Sequence, residues 1–325
     1  KNMIIGGNFD TNPWQRGTAF TAPATGDYSA DRFGSIAGGS SSAVFDIDKV
    51  ADAPSVAQAG FLVSNCLSVD VTTADVSVDA AAVDALRYYV EGYDWAQIAQ
   101  NDFVISFWHK HTKTGTYCVS FRNSGNGRSY VAEYTQSVTD TWEKATIKVT
   151  ASPSAGTWDY TTGIGLTITF AFVAGTTFHT TADAWQTGNF IATSNQVNAM
   201  DSTSNFCRFA LIQVEDGIVA TDFERRAVGE ELALCQRYYE SVTGTSVAIW
   251  NGYATSGQTY YNAQFFATTK RANPTVVLTH TSASNFGTTP GSASVSTHYF
   301  REQRVATGTA ARGFFGCRWT ADSEL

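Results

Sequence analysis

Phe103-Val-Ile-Ser-Phe-Trp-His-Lys-His111 decides the fold. Successive side chains of a strand point to opposite faces. Phe103, Ile105 and Phe107 therefore share one face, and His109 and His111 continue its phase. Val104 and Trp108 share the other, with Ser106 between them. Apolar residues on both sides predict a strand covered on both faces, as in the interior of a layered β-protein.

The same period-2 alternation recurs on either side of this stretch. It predicts strands over 2–9, 30–36, 42–50, 61–72, 85–93, 102–111, 115–123, 128–137, 142–150, 164–173 and 205–215. Gly38-Gly39, Thr114-Gly115, Asn123-Ser-Gly-Asn-Gly127 and Ser152-Pro-Ser-Ala-Gly156 supply the turns. Eleven strands suit two packed antiparallel sheets. One helix is expected, over 228–239, where Leu232, Cys235 and Tyr239 make an apolar stripe. Thr221 and Glu224 have the spacing of a capping box for a short turn before it. Strand-like runs follow at 246–253, 258–268, 274–281, 293–300 and 312–319, broken by Asn273-Pro274 and Thr289-Pro-Gly291. The expected architecture is all-β: a jelly-roll-like sandwich (1–225), a short helical connector (226–240) and a small β-rich C-terminal module (241–325).

Composition agrees. Charged residues make up 15% of the 325, well below the usual quarter. Residues 241–325 hold six cations and three acids, a net of +3, so the rest carries −11 of the total −8. That shift supports a module boundary near 240. An acidic body argues against nucleic acid, which needs a basic patch to displace counterions. The five cysteines (Cys66, Cys118, Cys207, Cys235, Cys317) form no CxxC or CxxH pair and read as buried free thiols, as expected of assembly in a reducing cytoplasm. No apolar run is long enough for a membrane span, and no signal peptide is evident. The chain opens on lysine, which points to a piece of a longer protein.

Ile212-Gln-Val-Glu-Asp-Gly-Ile-Val-Ala-Thr-Asp-Phe-Glu-Arg-Arg226 and Gly229-Glu-Glu-Leu-Ala-Leu-Cys-Gln-Arg-Tyr-Tyr-Glu240 resemble the signature closing a carbohydrate-binding-like sandwich in bacteriophage and prophage tail proteins. Asp222 stands where that family usually has proline. Asn2–Gly17, Tyr28–Phe33, Phe103–Trp108, Thr141–Lys144 and Trp319–Leu325 fit the same family, so the resemblance spans nearly the whole chain. It implies a tail-fibre or receptor-binding component of a virion with a C-terminal tip, and it leaves the receptor open.

Three kinds of site are candidates. Alternation places Arg87, Tyr89, Glu91, Tyr93 and Trp95 on one strand face, where rings would stack on a sugar and Arg and Glu would bond its hydroxyls; a subunit contact uses the same residue types. The C-terminal aromatics Trp250, Tyr253, Tyr260, Tyr261, Phe265, Tyr299 and Trp319, near Arg301 and Arg304, divide between a core and a tip able to meet anionic glycan. The resemblance also brings in a structural calcium, with Asn8, Asp10 and Asp216 as oxygen donors if the first and last strands pair; alternatively Asp10 and Asn12 simply organise the turn before Pro13. No cofactor is otherwise required. His109 and His111 lack the further ligands a metal site needs. For catalysis, no GxSxG, HExxH or P-loop is present, which leaves paired carboxylates drawn from Glu91, Glu133 and Asp159.

The reading is a tail component, assembled in the host cytoplasm, that binds a bacterial surface polysaccharide without cleaving it. A structural tail adaptor is the alternative, and a depolymerase the third. A homotrimer, contacting other tail proteins, is expected to join through the 228–240 segment or the tip, where Leu234, Tyr238, Tyr239 and Trp250 offer apolar area.

Overall fold

A computed structural model describes residues 2–243, 248–308 and 311–325. The chain divides into two compact units, Lys1–Glu231 with Leu325, and Leu232–Glu324. That division lies inside the segment expected to connect two modules.

The first unit holds β1 (Ala19–Phe20), β2 (Phe33–Gly38), β3 (Val44–Val50), β4 (Cys66–Thr73), β5 (Val83–Glu91), β6 (Phe103–His111), β7 (Gly115–Asn123), β8 (Arg128–Gln136), β9 (Glu143–Val149), β10 (Ile164–Ala174), β11 (Trp185–Thr187) and β12 (Phe206–Asp216). Two four-residue helices, α1 (Val56–Ala59) and α2 (Gly92–Trp95), interrupt them. The strands form two six-stranded sheets, ordered β1-β3-β4-β12-β6-β9 and β11-β8-β7-β10-β5-β2. Every pairing between named strands is antiparallel. This is the jelly-roll-like sandwich that the alternation predicts.

One continuous core lies between the sheets. Phe107 meets Tyr134, Phe170 and Phe209 at 5.0–6.3 Å between ring centroids. Outside the first sheet, Trp108 packs with Val63, Trp142 and Leu211, and Phe61 and Phe223 join the same cluster. β6 is thus covered on both sides, as its two apolar faces predict.

Residues 2–9 depart from expectation. They lie along β12 without forming a regular strand: Met3 N–H donates to Val214 O, and Ile212 N–H to Gly7 O. The Asn2 side chain takes the Val214 N–H that a ladder would use, and Gly6 turns the chain at φ +75°. At Gly7 a Cβ would sit 2.3 Å from Ile212 O, so only glycine allows this approach. The capping box is also absent. Thr221 N–H and hydroxyl bond the Glu215 carboxylate, and Glu224 accepts from Asn2 N–H.

In the second unit α3 (Val228–Gln236), which begins in the first, ends earlier than expected, and Tyr239 belongs to a strand. β13 (Tyr239–Val242), β14 (Ala248–Ala254) and β16 (Thr275–Ser284) pair with β19 (Ala311–Asp322), while β15 (Thr259–Phe265), β18 (Tyr299–Val305) and β17 (Gly291–Ala293) form a second sheet. The strand start expected at 246–247 lies outside the described residues. Tyr238 and Tyr239 are buried within the chain, so they offer no area to a partner, and Leu234 is half-buried. Trp250 stacks on Phe315 at 5.6 Å.

Phe107→Ala is expected to lower stability by about 3–5 kcal/mol, because a fully buried ring is replaced by a cavity. The midpoint of denaturant unfolding measures this. A loss under about 1 kcal/mol would mean that the two sheets do not depend on this contact.

Candidate functional site

The outer face of the second sheet is divided. At one end Val83, Cys118, Val131 and Ala171 are sealed by Phe178, Phe190, Ile191 and Ala192. Beyond that cover the face turns polar. Thr169 lies opposite Arg87, and Thr167 lies opposite both Tyr89 and Arg122. Gly34 is the neighbour of Arg87 on β2. Arg122 donates from Nη2 to Thr169 Oγ1 at 3.0 Å and from Nη1 to Asn189 Oδ1 at 2.6 Å, the latter at the margin of the covering segment.

Arg87 and Tyr89 are half-buried. The Arg87 guanidinium lies 4.4 Å from the Tyr89 ring centroid, and among the described residues it makes no hydrogen bond or ion pair. The Tyr89 hydroxyl has no protein partner there either. Arg122 is almost fully buried, with Nε unpartnered, as is Ser120 Oγ on the same face. Burial pulls the Arg122 guanidinium down to about 10; the Arg87 charge adds to that effect and Tyr89 opposes it. A sugar laid here would meet the Tyr89 ring and the Arg87 guanidinium, with Arg122, Thr167 and Thr169 buried beneath them.

The other three members of the predicted set do not join this face. Glu91 ends β5 in a buried position. Gly92 N–H then donates to Gly163 O, Tyr93 N–H to Thr161 O, and the chain turns into α2. Tyr93 is 55% exposed on that helical turn and Trp95 is 0% exposed. Trp95 stacks on Trp158 at 5.4 Å and meets Phe103 edge-on at 5.8 Å. It is a core residue. Strand alternation was extended past the glycine that ends the strand. Arg122 and Thr169 were missed, although Cys118, Ser120 and Arg122 alternate against the inward Tyr117, Val119 and Phe121.

The metal candidates are not brought together. Asp10 carboxylate oxygens accept from Ser64 N–H at 2.8 Å and Asn65 Nδ2 at 2.6 Å. Residues 3 to 7 run antiparallel to β12 from Val214 to Ile212. Asn8 and Asp10 therefore lead away from Asp216, which is exposed at the other end of that strand. Asn8 and Asn12 cap their own turns. Among the described residues no three His, Cys, Asp or Glu side chains are grouped to hold a metal. His109 and His111 sit in the core, bonded to Gln136 and Tyr134, and burial holds both pKa values below the usual range.

The acids are likewise engaged. Asp159 Oδ1 accepts from Thr161 N–H at 2.7 Å and Gly163 N–H at 3.2 Å. Glu133 Oε1 takes the Thr193 hydroxyl and Asn195 Nδ2. In the second unit Tyr253 (67%) and Phe265 (73%) are well exposed, whereas Trp319 is buried. Arg301 lies over Tyr261 at 5.1 Å. Arg304 is buried against Glu302 at 2.9 Å, so it is not a tip cation.

A concavity of about 150 Å³ opens on the outer face of the first sheet, lined by Ser106, Trp108, Lys144, Leu211, Asp222 and Gln58 among others. Leu211 adopts φ +52° at the bulge of β12, a conformation that branched side chains seldom take.

No family model and no curated protein matches the chain. Solved structures do. It is similar to the enzymatically active domain of bacteriophage CBA120 tailspike protein 4 (11% identity, TM-score 0.34), covering 66% of this chain but only 21% of that one. It is similar to the family 11 carbohydrate-binding module of Clostridium thermocellum, solved with a mixed-linked tetrasaccharide (13% identity, TM-score 0.33, covering 62% and 98%). The module TmCBM61 with bound galactotriose shows 9% identity and a TM-score of 0.32, covering 67% and 99%. None of them decides a function for this chain, which rests on its own side chains.

Two outcomes are expected. Trp95→Ala should cost about 3–5 kcal/mol of stability, seen as a lower melting temperature; an unchanged melting temperature would return Trp95 to the surface. Stability should also fall on acidification. His111 has its folded pKa well below the ordinary 6.5, so the unfolded chain binds the extra proton first. The loss then begins as pH drops below about 6.5 and continues towards the folded pKa. His111→Gln should reduce the fall in urea midpoint between about pH 7.5 and pH 5.5, with His109, whose pKa burial also lowers, accounting for part of what remains.

Proposed function

We propose that this chain is a component of a bacteriophage or prophage tail that binds a bacterial surface glycan without cleaving it, through the polar half of the outer face of the second sheet. The observation that carries this reading is the Arg87–Tyr89 pair: a cation stacked on a ring, both half-buried, their polar ends unengaged among the described residues. A guanidinium and a hydroxyl left without protein partners on a rigid strand face are prepared for external hydrogen bonds. The resemblance of 212–226 and 229–240 to tail-protein signatures supports the virion location. Non-cleavage is supported by Asp159 and Glu133, whose oxygens hold the 159–163 and 193–195 turns. No helix among the described residues is long and apolar enough to cross a membrane.

Tyr89→Ala should weaken binding to a glycan-array hit by about 2- to 10-fold, the worth of one stacking contact, with little change in melting temperature. Unchanged affinity on every hit would remove this face from the reading. Release of reducing ends from a bound polysaccharide would make the chain a depolymerase.

A homotrimer belongs to the same proposal. With Tyr238 and Tyr239 inside the chain, its contact is best placed on the β15-β18-β17 sheet, where Tyr261, Phe265 and Val305 are exposed. Three weak sites facing one cell surface gain avidity of about 10²–10⁴ over one. Light scattering should give three times 35.0 kDa, and Phe265→Glu should return it to the monomer mass. A wild-type monomer at micromolar concentration would remove the trimer.

A further inference from the structure

Arg87 and Arg122 lie on adjacent strand-pair positions of one face, linked through Thr169: Arg122 donates to its hydroxyl, and Arg87 is opposite it in register. Neither guanidinium meets a carboxylate among the described residues. Other cations in this unit do: Lys110 and Arg208 share Asp52, Lys113 meets Asp201, Lys148 meets Asp102, and Arg226 meets Glu231. A nearly buried guanidinium facing another of like charge is costly to keep. A neutral sugar would not relieve that cost. An anion would, because a planar guanidinium matches a carboxylate or phosphate with two parallel bonds.

We propose that the ligand of this face is an acidic glycan whose carboxylate or phosphate group is taken by Arg87, with Arg122 supporting the charge from beneath and Tyr89 stacking on the sugar. This rests on the glycan-binding reading above and adds the charge of the ligand. Asn189 and Thr169 hold Arg122 in place, so the site is set before the ligand arrives. Arg87 stays half-exposed and able to reach it.

The test uses the full chain on immobilised bacterial polysaccharides of three kinds, uronate-bearing, phosphate-bearing and neutral, each uronate polymer also in carboxyl-reduced form. Binding to one of the acidic kinds is expected, with loss on carboxyl reduction if uronate is the source. Arg87→Gln should weaken it by about 10- to 100-fold, the worth of hydrogen bonds to a charged group. Arg87→Lys, which keeps the charge but not the fork, should recover only part. Raising salt from about 0.05 M to about 0.5 M should weaken wild-type binding more than that of Arg87→Gln. Trp108→Ala, on the opposite sheet, should leave acidic binding unchanged. Hits confined to neutral polymers, or acidic hits that survive both carboxyl reduction and Arg87→Gln, overturn the acidic ligand and leave glycan binding standing. Silence on all three kinds overturns the glycan-binding reading itself.

Discussion

The packing of aromatic rings between the two six-stranded sheets is the constraint on which the first unit depends. Phe107 touches Tyr134 and Phe170 of the second sheet and Phe209 of its own, and Phe45 reaches Phe172 edge-on at 5.9 Å. Tilted and edge-on rings fix the spacing and rotation of the layers more tightly than aliphatic chains would. Once the inner faces are locked, every outward residue has a set position. Arg87, Tyr89 and Arg122 are set apart by strand register, on a face that the packed layers beneath hold in place.

That outer face is shaped by what covers it. The 178–192 segment seals the apolar half, and its margin supplies Asn189 to orient Arg122. Ser129 makes the seam: its hydroxyl donates to Gly188 O and accepts from Phe190 N–H. The segment thus serves packing on one side and side-chain orientation on the other. An uncovered sheet would leave Cys118 and Val131 wet, and a fully covered one would leave Arg87 and Tyr89 buried.

Many strand boundaries were legible because alternation over a half-buried sheet is a local signal, although the run expected at 293–300 falls mostly between β17 and β18 and that expected at 61–72 begins only at Cys66. Runs such as 103–111 and 206–216 fall within a residue of expectation. Failures came where a backbone event replaced the pattern. Gly92 converts β5 into a helical turn, which sends Trp95 inward and Tyr93 outward. Asn2 and Gly6 stop residues 2–9 from becoming a ladder. Tyr239 fits the helical stripe yet pairs with Asp322 in a strand. The candidate face was half legible. Arg87 and Tyr89 follow from period 2, but Arg122 becomes their neighbour only through sheet order, since β10 lies between β5 and β7.

Net charge says little about any single face. At −8 the chain reads as a poor partner for nucleic acid, and several of its carboxylates are held by its own backbone. Asp27 takes Ala24 N–H, Asp75 takes Ser42 and Ser77, Asp102 takes Ala151, and Glu143 takes Ser137 and Val138. Each negative charge is held beside backbone donors, where its field is partly neutralised. Among the described residues the two arginines of the outer face meet no carboxylate. Over a screening length of about 8 Å at physiological salt, the local arrangement and not the total sets the field that a ligand meets. Strand cations elsewhere, such as Lys110, Lys148 and Arg208, are paired with Asp52 and Asp102, so it is the outer face of the second sheet, and not the sheets in general, that keeps unpaired arginines among the described residues.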